Sequence, residues 1–199
     1  MINILSIKLT NSGVVNVLSS GITTKKSVKS KSRTLARDIL GDVATSNTTG
    51  IILKEKFAEK IRIGKVMNGE YCIAFGYNPA YGDPNIMDDT NAYLIGLFEN
   101  IYEGYYLINL YPNVSPHIST LSTKTNISNV LVDTLIQYEI NNLKRDDVYI
   151  FAGTKFDLFF FYLYYSALNL YNVYILTDTN NKLKHLSSLK HGAIIHQLI

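Results

Sequence analysis

Cysteine is almost missing from this chain. Cys72 is the only one in 199 residues, so no disulfide closes within the chain and cysteine-based zinc sites are excluded. A lone thiol suits a reducing interior, and the sequence is read as cytoplasmic. The four histidines, His117, His185, His191 and His196, lack any standard metal-ligand spacing. The glycine signatures of nucleotide chemistry are absent as well: there is no G-x-G-x-x-G after a strand and no G-x-x-x-x-G-K-[ST]. Neither H-E-x-x-H nor G-x-S-x-G occurs. Hydride-transfer and nucleoside-triphosphate enzymes are therefore disfavoured, and no metal or cofactor is expected. The opening MINILSIKLTNSG has no basic n-region and no small-residue cleavage site, so a signal peptide is not expected. Charge of either sign is sparse. The formal net charge of +3 permits an anionic partner without requiring one.

What is present is apolar and patterned. Hydrophobic residues make up 47% of the chain, which excludes general disorder and allows one sizeable core. Leu158 to Thr177 carries no charge, but five tyrosines and two asparagines lie within it, and its end reads as a strand. A buried helix followed by a buried strand is preferred over a membrane span. INILSIKL and GVVNVLSS read as a β-hairpin around Asn11-Ser12-Gly13. The segment that follows, with Lys25, Lys26, Lys29, Lys31, Arg33 and Arg37 and no acid before Asp38, reads as a solvated loop or a phosphate-binding arm. SRTLARDIL is expected to open a short helix. KIRIGKVM and EYCIAFG, joined by Asn68-Gly69, carry a second hairpin signal.

From Glu70 onward short apolar strands alternate with helical patterns. YCIAFG, GYYLINLY, DVYIFAG and NVYILTD read as strands. MDDTNAYLIGLFENI, NISNVLVDTLIQYEINNLKR and TKFDLFFFYLYYSALNLY read as helices, the first started by Asp88 or Asp89. The order β-α-β-α-β-α-β predicts a three-layer α/β/α domain with a mainly parallel central sheet over residues 49–199, preceded by a β-hairpin and basic extension over residues 1–48.

Ligands of open parallel sheets bind beyond the carboxyl ends of the strands. The residues expected there are Asn78, Pro79, Tyr81 and Asp83 after the first strand, Asn109 after the second and Gly153 after the third. Asp178, His185, Ser187 and Ser188 follow the fourth.

FGYNPAYGDPNIMDDTN, YYLINLYPNVSP, YIFAG and YILTDTNNKLKHL together resemble the bacterial and phage family called domain of unknown function 1643, over about residues 60–191. The same residues are similar to the uracil-DNA glycosylase superfamily. Its motifs appear in order as Gly76-Tyr77-Asn78-Pro79, as Leu107-Ile108-Asn109, and as His185-Leu186-Ser187-Ser188-Leu189. The resemblance implies a glycosylase-like fold and a base-excising activity on nucleic acid, DNA ahead of RNA, or on a nucleotide. Asn78 would orient the attacking water, since an amide is no general base near neutral pH. His185 would donate to the departing base. Asn109 would read the edge of an extruded base, and Phe75, Tyr77 or Tyr81 would stack on it. Pro79 would fix the chain leaving the strand. Leu189 would wedge into the stack, with Ser187, Ser188, Lys25, Lys26 and Lys29 near phosphates. Asp83 and Asp88 are further acid–base candidates. Ala80 replaces the tyrosine of classical uracil-specific enzymes and would leave room at C5 of a pyrimidine. Two other readings stand beside this one. One is a binder that kept the pocket without turnover, in a counter-defence or regulatory role. The other is an interaction module with no convergent pocket.

Overall fold

The structure is a computed structural model that describes residues 23–24, 35–47, 50–83, 86–109, 111, 113–117, 147–151, 153, 172–186 and 192–197. The first hairpin signal, the cations at 25, 26 and 29, the two later helical patterns and residues 187–189 lie outside that set.

The backbone elements are β1 (Thr23–Thr24), β2 (Ala36–Asn47), β3 (Gly50–Arg62), β4 (Tyr71–Gly76), β5 (Ile86–Met87), α1 (Asp89–Phe98), β6 (Gly104–Asn109), β7 (Asp147–Ile150), β8 (Asn172–Thr177) and β9 (Ile194–Gln197). Seven of the strands form one sheet in the order β2-β3-β6-β4-β7-β8-β9. The middle four, β6, β4, β7 and β8, run parallel. β3 joins β6 antiparallel, β2 joins β3 antiparallel, and β9 joins β8 antiparallel. The fold is α/β, but the sheet is mixed rather than mainly parallel: antiparallel strands flank a parallel block on both sides.

Two local expectations change with this topology. SRTLARDIL does not open a helix, because Ala36 onward is β2, paired with β3 from Arg62 back to Gly50. The boundary at residue 48 falls between Asn47 and Gly50, which pair with each other in that ribbon. Nor do β3 and β4 form a hairpin across Asn68-Gly69. Gly69 takes a left-handed φ of 70°, but Asn68 does not, and the type I′ turn that this pair favours needs both. β6 lies between the two strands, and the chain from residue 63 to 70 arches over its start. Glu103 holds that arch, accepting from Arg62 Nε at 2.7 Å and from the Gly69 amide at 2.8 Å.

β4 is buried from Cys72 to Gly76, the continuous apolar run expected of a strand covered on both faces. Side chains alternate across it. Cys72 and Ala74 meet α1 through Leu94, Ile95 and Phe98, together with Tyr105, Leu107, Tyr149 and Leu176. Phe98 anchors the helix, its ring centroid 4.7 Å from that of Tyr149 and 5.7 Å from that of Tyr105. Full burial of each such side chain contributes roughly 1.5–3 kcal/mol. The opposite face, carrying Ile73, Phe75, Val148, Ile150 and Val173, is buried too.

α1 starts as its sequence predicts. Asp88 is the N-cap, accepting from the Asn91 amide at 2.9 Å, and Asp89 adds a second acid to the first turn. At the amino edge of the sheet, Tyr102 donates to Asp147 and lies 3.0 Å from the Tyr149 hydroxyl, while Asn172 donates to Asp147 at 2.8 Å. This polar knot, buried apart from Asn172, ties the entry to β6 onto β7 and β8. No helix among the described residues is long and apolar enough to cross a membrane.

Candidate functional site at the carboxyl edge

Numbered along the chain, the four parallel strands lie across the sheet in the order second, first, third, fourth. Successive connections therefore diverge on either side of β4, which is the arrangement that opens a crevice beyond the carboxyl ends of a doubly wound sheet. The Phe151 amide donates to the Phe75 carbonyl at 3.0 Å, so the tips of β4 and β7 stay joined where the crevice begins.

Pro79 and Pro116 stand in the loops that follow β4 and β6. Each removes a donor and fixes φ, which stiffens these loops before any contact forms. The two loops are then bonded to each other. Tyr111 N donates to Tyr77 O at 2.9 Å, and Ser115 N donates to Pro79 O at 2.9 Å. Asn78 Nδ2 donates to Ser115 O at 2.8 Å and to Pro79 O at 3.1 Å. With the nitrogen so engaged, the amide cannot flip without facing two carbonyls with an oxygen. Oδ1 carries no hydrogen bond among the described residues, so Asn78 presents an acceptor.

Asn109 is used differently. It is buried, and its Nδ2 donates to Lys56 O at 2.9 Å, which ties the end of β6 to β3. A Cβ at Gly76 would stand 3.3 Å from Asn109 Oδ1, so the amide lies against the tip of β4. Beneath it is a buried charged cluster that sequence reading missed. Phe57 is the extra residue of a bulge opposite Leu40 and Gly41. The bulge re-phases the strand, and Lys56 pairs with Glu59 three residues on. Arg37 Nε donates to the same carboxylate at 2.8 Å, and Asn91 Nδ2 donates to it at 3.2 Å. Tyr105 donates to Asn91 Oδ1 at 2.7 Å. Burial alone would raise the Glu59 carboxyl, but the charges of Arg37 and Lys56 outweigh it and hold the pKa at about 2. Arg37 is thus an interior cation, 1% exposed, and not part of a phosphate arm.

His185 arrives by a tight return from β8. Asp178 accepts from the amides of Asn180 at 2.8 Å and Lys182 at 3.0 Å, and its second oxygen pairs with Lys184 Nζ at 2.9 Å. Asn181 supplies the left-handed residue, φ 58°. Leu183 then bridges back to Thr177, and Lys184 N donates to Leu176 O at 2.7 Å. The Thr177 hydroxyl at this tip is buried and makes no hydrogen bond among the described residues. The return sets His185 against Gly153 at the tip of β7. Burial lowers the imidazole pKa below its usual 6.5, and the Asp88 carboxylate partly offsets this. The ring is neutral at pH 7, and it lies within electrostatic reach of the N-cap of α1.

Gly153 makes that approach possible. Its φ is +73°, and a Cβ there would lie 3.3 Å from the His185 nitrogen and 3.4 Å from its Cβ. Gly153→Ala is expected to cost about 1–2 kcal/mol in urea unfolding and to shift the His185 ring resonances. Gly96→Ala, on the open face of α1 with nothing within 4 Å, is the control and is expected to leave stability equal or higher.

The remaining sequence-expected residues divide. Pro79 is buried and Ala80 half-buried in the bonded loop beside Asn78. Tyr81 and Asp83 are half-buried further along it. Gly82 holds this stretch to β3, where Leu53 N donates to Gly82 O at 2.7 Å and any Cβ on Gly82 would collide with the Leu53 carbonyl. Phe75 is 6% exposed on the face opposite α1, a core residue rather than a lip of the crevice. Asp88 is committed to its cap. Tyr77 and Tyr111 meet at the tips of β4 and β6, ring centroids 4.9 Å apart. Tyr111 and Ser115 were not singled out from the sequence. Their signal was there, in the polar, proline-flanked run after Asn109. Among the described residues no cluster of histidine, cysteine and acids could hold a metal ion.

No family model, curated protein or solved structure matches this chain.

Proposed function

We propose that the chain is a nucleobase-excising protein of the N-glycosylase kind, acting on a modified or C5-substituted base in nucleic acid, with DNA ahead of RNA. The observation that carries this reading is the Asn78 amide. Its nitrogen is bound to two backbone carbonyls, and its oxygen is left as an acceptor at the carboxyl edge. An acceptor of that kind orients a water without deprotonating it, which suits a dissociative departure of the base. His185, held neutral, donates one N–H to the base as negative charge develops there. Asp88 adds a fixed negative charge near that ring and a developing oxocarbenium ion. In this reading the fold is a three-layer α/β/α of the glycosylase kind, which the strand order and the burial of both sheet faces support.

The basic segment fits the same picture. β1 pairs with β5, Thr24 opposite Met87, and Arg37 Nη1 donates to Ile86 O at 3.0 Å. Both flanks of residues 25–34 are therefore fastened beside Asp88, and Lys25, Lys26 and Lys29, with Ser187 and Ser188, are proposed to meet phosphates and Leu189 to wedge into the stack. Asn109 keeps one N–H and its oxygen for a base edge.

The test uses single- and double-stranded oligonucleotides carrying uracil and C5-substituted pyrimidines, with abasic sites read by alkaline cleavage. Wild type is expected to release base and Asn78→Ala to lose at least 100-fold, a loss of the size seen when one preorganised group is removed. Ala80→Tyr is expected to exclude the C5-substituted substrates while sparing uracil. Binding by both proteins with no abasic product from either would instead establish the non-catalytic binder.

A further inference from the structure

Asn78 and Ser115 each precede a proline, Pro79 and Pro116. A residue before proline is confined to extended backbone, and the proline fixes its own φ. These two stiff steps are bonded face to face: Ser115 N donates to Pro79 O at 2.9 Å, and Asn78 Nδ2 returns a bond to Ser115 O at 2.8 Å. Past the proline the Ser115 side chain closes the turn. Its Oγ donates to His117 O at 2.8 Å and accepts from His117 N at 3.3 Å. Pro116 and His117 are exposed, so these two bonds trade with water and add little to the stability of the fold. What they fix is a direction, that of the Ser115–Pro116 peptide plane and its carbonyl oxygen.

We infer that Ser115 is a positioning residue, whose hydroxyl aims its own carbonyl and thereby decides where the Asn78 oxygen points. The inference rests on the proposed function and goes beyond it, placing control of Asn78 in the loop after β6, 37 residues away. An amide is aimed by whichever end is bound. The other acceptor of Asn78 Nδ2 is Pro79 O at 3.1 Å, on the adjoining residue. That bond follows Asn78 through any local movement of its loop and cannot serve as a fixed reference. Ser115 O can, because it belongs to a different strand connection. If that carbonyl swings, the Asn78 oxygen turns with it, and a misplacement of about 1 Å costs roughly a hundredfold in rate. Ser115 acts through Asn78 and is not itself a catalytic residue.

Ser115→Ala removes the hydroxyl and leaves the backbone bond from Ser115 N to Pro79 O, and thermal melting checks that the variant is folded. The first readout needs no substrate. It is the hydrogen exchange of the Asn78 side-chain amide protons, followed by NMR and assigned by their absence in Asn78→Ala. Exchange in Ser115→Ala is expected to be about tenfold faster than in wild type, with Ser115→Thr restoring the slow rate. The second readout is base release. Ser115→Ala is expected to lower kcat about tenfold to a hundredfold with KM nearly unchanged, and Ser115→Thr to recover most of the loss. Slow exchange in wild type and fast exchange in Ser115→Ala, with no base released from any substrate, would defeat the glycosylase reading and leave the positioning role standing. Equal exchange in wild type and folded Ser115→Ala, or a rise in KM with kcat unchanged, overturns the inference.

Discussion

Glu59→Gln is expected to destabilise the fold by about 3–5 kcal/mol, because it leaves Lys56 and Arg37 buried without their shared anion. A glutamine keeps the shape and one acceptor for Arg37, but it turns an amide toward the Lys56 ammonium. Urea unfolding at pH 7 reads the loss. Adding Lys56→Met to that background removes one stranded cation and is expected to restore part of it. The pH dependence checks the cause. The Glu59 pKa is 4.5 unfolded and about 2 folded, so its stabilisation is complete above 4.5 and is lost as pH falls toward 2. A shift of that size corresponds to about 3 kcal/mol. The gap between wild type and Glu59→Gln should therefore be widest above pH 5 and close toward pH 2. A gap that stays constant with pH would mean that the loss comes from packing and not from charge.

Asn78→Asp is expected to abolish the proposed base release at pH 7 instead of improving it, although it installs a stronger base. The new oxygen would face Ser115 O and Pro79 O where an N–H now lies 2.8 Å and 3.1 Å away. Three oxygens with no proton between them repel, and the loss of two hydrogen bonds in a part-buried loop costs roughly 1–3 kcal/mol. Protonating the aspartate returns one donor, so its folded pKa should lie above the unfolded value near 3.9. For an acid raised on folding, stability falls as pH rises through the unfolded pKa. The variant should therefore come closest to wild type near pH 4 and be furthest from it at pH 7. Faster base release by Asn78→Asp at neutral pH would refute the fixed orientation of the amide.

The parallel strands and α1 could be read from the sequence because their information is local. β4, β6, β7 and β8 are short apolar runs, and Asp88 caps the helix that its sequence announces. The β2–β3 ribbon could not be read in the same way. Lys54, Glu55, Lys56 and Glu59 look like the solvated side of something, and only Arg37, 22 residues from Glu59, makes two of them interior groups. A bulge at Phe57 further breaks the period-two pattern that would have marked the strand. The Asn68-Gly69 pair promised a tight turn that does not form, and no local signal reports that β6 will come between the strands it joins. At the carboxyl edge, strand ends pointed to Asn78, Asn109, Gly153 and His185. Which atom of each amide is occupied depends on Ser115 and Lys56, partners brought in by topology.

The β2–β3 ribbon is much longer than the strand it leans on. β6 pairs with β3 only from Ala58 to Arg62, while the ribbon continues back to the pairing of Asn47 with Gly50. Because β3 runs against β6, that surplus projects past the crevice like a fence post on one flank, and β9 at the far flank is only four residues long. The post is footed in the site itself: Leu53 N donates to Gly82 O and Val114 N to Lys54 O, so the ribbon steadies the loops that carry Asn78 and Ser115.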